Sequence, residues 1–224
     1  MGRTRTTTCC TEVTMLQPVP RLARLLSPAG HVEAVDLLRA YFAPRPAGRP
    51  GGYFERIGQI GAHPDEITPE DLVAAGTLGV VIPGDAALAI LVDHRDELSW
   101  LLARLPTDVA FADLSVEQVE SVLTPKRAYR LLTSVGGIGT TAATVLLARK
   151  RPHLVPILEP AVVDAITGIV GLFLLPLREL LTADDRAYQR RLDELHDAAG
   201  LAPEVSALRV LHVLARTVVE GADR

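Results

Sequence analysis

Cysteine is nearly absent from this 224-residue chain: Cys9 and Cys10 are the only two. As neighbours in a Thr-rich stretch they cannot staple a core, and no four-ligand zinc or iron–sulfur spacing exists. The pair fits a reducing, cytoplasmic setting. Aromatic residues make up 4% of the chain, so its 48% hydrophobic content must build a core from Leu, Val, Ala and Ile. Lysine is almost missing too, with Lys126 and Lys150 the only two among 23 basic residues. A net charge of −4 argues against a general binder of nucleic acid or anionic membrane. The amino end carries Arg3 and Arg5 but no apolar run, so no secretory signal is expected. The most apolar stretch, Ala165 to Leu177, is too short to span a bilayer and contains Pro176. The six histidines show no paired-ligand spacing, and neither G-x-S-x-G nor a phosphate loop ending in Gly-Lys-Ser/Thr occurs. No metal site is expected, and Asp184-Asp185 reads as helix capping.

What the chain does have is helix punctuation. His31 to Phe42 is amphipathic, with Val32, Val35, Leu38 and Phe42 on one stripe. Thr68-Pro-Glu-Asp71 sets an N-cap hydroxyl, a proline at the first helical position and two acids in the first turn. Ser115-Val-Glu-Gln118 is a capping-box pattern. Helices are also expected over Ala86–Leu91, His94–Leu105, Lys126–Thr133, Thr140–Lys150 and Pro160–Val170, after Thr182 up to Gly200, and along Val205 to Val218. Trp100, in mid-helix beside Leu101, is expected in the core. No period-two strand pattern and no internal repeat appear. The expected architecture is all-α: a compact multi-helix domain containing a helix-hairpin-helix element, with an irregular N-terminal tail. Residues 1–20 form the tail, 21–52 an N-terminal helix with a Pro/Gly linker, and 53–224 the main domain.

The chain centres on Ser134-Val-Gly-Gly-Ile-Gly-Thr-Thr-Ala-Ala143. Gly136, Gly137 and Gly139 build a tight turn opening into a helix, an arrangement whose backbone N–H groups can hold a phosphate. From Ser121 to Leu158 there is no acidic residue, whereas Lys126, Arg127, Arg130, Arg149, Lys150 and Arg151 all fall inside that window. Concentrated cations in an acidic chain are the footprint of a face that meets phosphate; a solvated charge run is the plainer explanation.

Three readings of the turn compete. Gly137-Ile-Gly139-Thr-Thr-Ala142 fits the dinucleotide pattern G-x-G-x-x-A, with Glu159 twenty residues beyond Gly139 as a ribose acid. That reading needs flanking strands, which the charged start of Lys126–Ser134 and the presence of Pro156 oppose. Alternatively, two helices flank a hairpin whose Gly137 and Gly139 N–H groups grip a DNA phosphate, with Ile138 plugged between them. In the third reading the hairpin serves only packing or protein partners.

The stretch from Leu131 to Ala165 resembles the hairpin segment of the helix-hairpin-helix DNA glycosylase superfamily. There, L-P-G-V-G-x-x-T-A precedes an apolar helix and an apolar segment ending in V-D. Gly137-Ile138-Gly139 matches G-V-G, Ala142-Ala143 matches T-A, and Val145, Leu146 and Leu147 match the helix. Ile157-Leu158-Glu159 matches the segment ending in the aspartate. The resemblance implies contact with DNA backbone through Gly137, Ile138, Gly139, Thr140 and Thr141, supported by Lys126, Arg127, Arg130, Arg149 and Lys150. It allows a monovalent cation at the hairpin and implies no other cofactor. It makes Glu159, one methylene longer than aspartate, the catalytic candidate of a monofunctional glycosylase. Thr141 stands where lyase-type members carry a nucleophilic lysine, which excludes a Schiff base. The expectation is therefore a glycosylase-like fold that binds DNA without catalysis, with the monofunctional glycosylase as the alternative. The run Leu147 to Ile157 also resembles an uncharacterised actinobacterial family of unknown function.

Overall fold

The computed structural model describes residues 18–58, 61–123, 127–167 and 173–222. Among them the fold is helical, with no strand, as the sequence pattern requires. The helices are α1 (Pro20–Leu26), α2 (His31–Phe42), α3 (Pro69–Thr77), α4 (Gly84–Leu88), α5 (Arg95–Leu102), α6 (Val116–Leu123), α7 (Arg127–Ser134), α8 (Thr140–Lys150), α9 (Pro160–Thr167), α10 (Leu174–Ala199) and α11 (Ala207–Ala222). None is long and apolar enough to cross a membrane.

The start signals act locally as the residue types dictate. The Thr68 backbone N–H donates to Asp71 Oδ2 at 2.7 Å, and the Thr68 hydroxyl closes the capping box of α3. Ser115 and Gln118 exchange equivalent bonds at the start of α6. Gly200, left-handed at φ 66°, ends α10. Thr182, in contrast, caps nothing: its hydroxyl bonds back to the Arg178 carbonyl. The chain kinks just after it, where Asp184, Asp185 and Arg186 all take positive φ inside α10.

One core runs from Leu22 to Val218, with α8 and α11 at its centre. Residues Ala142 to Arg149 of α8 and Leu208 to Ala215 of α11 are buried on every side. Helix α9 packs on α11, α2 on α10 and α11, and α3 and α7 on α8. The end of the expected tail is tied to this body, since the Val19 N–H donates to Ala165 O at 2.9 Å. The Pro/Gly stretch expected to be a linker is part of it too. The segment from Arg49 to Gly58 is a strap lying against the core, and Gly51, Gly52, Phe54 and Glu55 of the strap are buried.

Two arginines hold the strap. Arg149 of α8 donates to Phe54 O and Ile57 O, and Arg209 of α11 donates to Gly51 O at 2.8 Å and to Glu55 Oε1 at 2.6 Å. An irregular backbone without a ladder leaves carbonyls that need donors when buried, and a guanidinium offers five N–H groups in a fixed fork. Composition read the segment as a spacer because its proline and glycine exclude helix; they do not exclude burial.

Two apolar expectations also change. Val32 is 71% exposed, since the inward stripe of α2 is Ala34, Val35, Leu38, Tyr41 and Phe42. Trp100 is 47% exposed, not core, and the Arg104 guanidinium lies 3.4 Å from its ring centroid.

Candidate functional site: the glycine hairpin and Glu159

Helices α7 and α8 pack against each other across a five-residue turn, Val135 to Gly139. Ile138, expected to plug the hairpin, is buried in the core. Its N–H donates to Val135 O at 3.1 Å, and Val135 N–H donates to Leu132 O. Gly137 has φ +85°, and a Cβ there would lie 2.8 Å from Pro83 Cγ. Gly137→Ala should therefore cost on the order of 1–2 kcal/mol in chemical unfolding, from left-handed strain and the proline contact. Gly136 and Gly139 have open space where a Cβ would go.

Gly136, Gly137, Gly139 and Thr140 are exposed. Gly139 is the N-cap of α8 at φ −89°, ψ −179°, and no side-chain hydrogen bond caps this eleven-residue helix. Its first-turn N–H groups have no partner within the helix. Thr140 joins the two arms through a 2.9 Å hydroxyl contact with Tyr129. Thr141 turns inward and donates to Leu158 O at 2.9 Å, so its hydroxyl is part of the packing.

The basic window separates into two sets. Arg127 and Arg130 are exposed on α7. Arg149, Lys150 and Arg151, at the end of α8, are internal. The Arg149 side chain is 1% exposed and pairs with Asp71 Oδ1 at 3.0 Å. Lys150, 7% exposed, pairs with Asp71 Oδ2. Arg151, 1% exposed, pairs with Asp65 and donates to Leu105 O and Pro64 O. Arg149 and Lys150 therefore direct their charge at Asp71, away from the hairpin arm that carries Arg127 and Arg130. The sequence does not separate these sets, because a cation serving buried carbonyls and one serving a phosphate look alike in it. Lys126 lies outside the described residues.

Glu159 stands at the start of α9, where its carbonyl accepts from Val163 N–H at 2.8 Å. Its side chain, 19% exposed, accepts two bonds on Oε1: from His212 Nε2 at 3.2 Å and from Arg216 at 3.0 Å. His212 Nδ1 lies 2.7 Å from an Arg209 nitrogen. A guanidinium only donates, so Nδ1 accepts and the imidazole carries its proton on Nε2, directed at Glu159. Burial pushes His212 down to about 4, and neighbouring Arg209 adds to the shift against the opposing bond to Glu159. Burial alone would raise the Glu159 carboxyl. The His212 bond and the positive charges of Arg216 and Arg209 outweigh it and hold the group below the usual carboxylate range. Glu159 is thus an ionised carboxylate inside a chain running Glu55–Arg209–His212–Glu159–Arg216–Glu220. Its partners escaped sequence reasoning, although Arg209, His212, Arg216 and Glu220 recur at one-turn spacing on α11 and so mark a polar stripe.

Among the described residues no group of three or more His, Cys, Asp or Glu side chains is placed to hold a metal. A family model matches residues 34–219, most of the chain. The chain belongs to DUF6308, a family of unknown function. The expected likeness to an uncharacterised family agrees with this; the family's description assigns no activity. No curated protein and no solved structure matches the chain.

Proposed function

We propose that this DUF6308 protein binds nucleic-acid backbone through the α7–α8 hairpin, without base-specific readout. The observation that carries the reading is the uncapped first turn of α8. Its N–H groups open at an exposed glycine turn, and the exposed Arg127 and Arg130 lie on the helix packed beside it. Aligned N–H groups and the positive end of the helix dipole favour an anion there. The hairpin reading is favoured over the dinucleotide one because helices flank the turn on both sides. The catalytic alternative, a monofunctional glycosylase using Glu159, is the weaker reading. Burial and two donors on one oxygen already account for that carboxylate as part of an internal ion network.

The test is fluorescence anisotropy with a labelled DNA duplex across a salt series. Affinity should fall as salt rises, with each phosphate-contacting cation adding roughly 1 to the slope of log K against log salt. Arg127→Ala with Arg130→Ala should lower both affinity and slope and leave stability within about 0.5 kcal/mol. Gly139→Asp is the sharper variant. The backbone at Gly139 suits an N-cap, so the new carboxylate would occupy the free N–H groups itself. The expected result is an unchanged or higher Tm together with at least a tenfold loss of DNA affinity. Wild-type binding that ignores salt, or a Gly139→Asp variant that still binds normally, would rule the reading out.

A further inference from the structure

A cleft of about 530 Å³ lies between the strap and the turn joining α10 to α11. None of its residues belongs to the hairpin, and only Glu55, at the far end of the ion chain, is linked to Glu159. Its size falls in the range of small-molecule sites. Phe42, Ala199, Leu201 and Val205 supply apolar wall, and Arg39 and Arg56 stand exposed on it. Both arginines are anchored, Arg39 on Ala198 O at 2.7 Å and Arg56 on Phe42 O at 3.1 Å. Each therefore presents its remaining N–H groups from a fixed position.

Glu55 also lines the cleft, with a side chain only 6% exposed. Arg209 occupies its Oε1, whereas Oε2 is buried and has no hydrogen-bond partner. A buried carboxylate oxygen left unpaired is costly, and native structures rarely keep one without a use. The missing partner is a donor. It is not a bare cation, because Arg209 already neutralises Glu55, and on the opening Arg39 and Arg56 outnumber the one exposed carboxylate, Glu204.

We infer that this cleft is a binding site for a small anionic molecule that also carries a hydroxyl or N–H donor. The donor would pair with Glu55 Oε2, which is buried, so the floor of the cleft must open to admit it. The anionic group would sit against Arg39 and Arg56. The class includes sugar phosphates and nucleoside monophosphates.

Isothermal titration of the full chain with four probes separates the requirements. Sulfate supplies an anion alone, and glucose supplies donors alone. Glucose 6-phosphate and guanosine 5′-monophosphate each supply both, from two different sources. Binding is expected at millimolar concentration or below for at least one of the last two, and at least tenfold weaker for sulfate and glucose. Arg39→Ala with Arg56→Ala should weaken that binding at least tenfold. Ala202→Trp, at an exposed lining position, should abolish it by filling the cleft, with the helical circular dichroism retained. No heat from either two-function probe overturns the proposal. So does binding that survives Ala202→Trp, or a crystal structure in which an ordered water on Oε2 stays in place at saturating probe. Gly139→Asp should leave this binding untouched, so failure here and failure of the hairpin reading remain distinguishable.

Discussion

Arg149→Ala should lower the free energy of unfolding by about 3–5 kcal/mol, enough to unfold a marginal domain at physiological temperature. The magnitude follows from what the guanidinium touches. It is buried, it shares Asp71 with Lys150, and it is the donor for two strap carbonyls. Removing it leaves Phe54 O and Ile57 O without that donor and leaves Asp71 with a single cation. Arg149→Lys should recover only part of the loss, because one ammonium cannot reproduce a fork that spans an acid and two carbonyls. Urea unfolding at neutral pH, followed by circular dichroism, measures both variants. Arg127→Ala is the control, expected to lie within about 0.5 kcal/mol of wild type. If Arg149→Ala instead unfolded like wild type and lost only DNA affinity, the internal role of this arginine would be wrong.

Stability should also fall as the medium is acidified from pH 6.5 to pH 4, by about 3 kcal/mol, through His212 alone. The folded protein holds this imidazole neutral down to about 4, whereas an unfolded histidine takes its proton near 6.5. Between those values the unfolded state binds more protons, so stability rises with pH and is lost on acidification. Glu159 acts in the same direction at lower pH. Its folded carboxyl is depressed, so its contribution is present above the unfolded value of 4.5 and disappears as pH drops through the folded one. His212→Gln isolates the histidine. An amide can accept from Arg209 and donate to Glu159 but does not titrate, so the slope between pH 6.5 and 4 should flatten. An unchanged slope in that variant would show that His212 is not the titrating group.

The fold class and most helix starts were legible because their causes are local. Thr68 with Asp71, Ser115 with Gln118, and Gly200 each act within a few residues of chain. The hairpin was legible for the same reason: glycine at φ +85° and a buried Ile138 are properties of a short segment. The fate of the basic run was not. Whether Arg149 meets solvent or a carbonyl depends on Phe54, Ile57 and Asp71, brought to it by the fold rather than by the sequence around it. Trp100 failed for a related reason. Its neighbours Leu98, Leu101 and Leu102 bury the other side of α5, and Trp100 is left facing out with Arg104 stacked on its ring.

The strap has a temporal consequence. Glu55 is made 154 residues before Arg209, and Gly51 158 residues before the same partner. During synthesis the strap leaves the ribosome with its carbonyls in water and its clamps not yet translated. It cannot be fully secured until α11 is made, and an interrupted chain that stops short of α11 would keep the Arg149 clamp but lack the Arg209 one, leaving the Gly51–Glu55 part open to proteases.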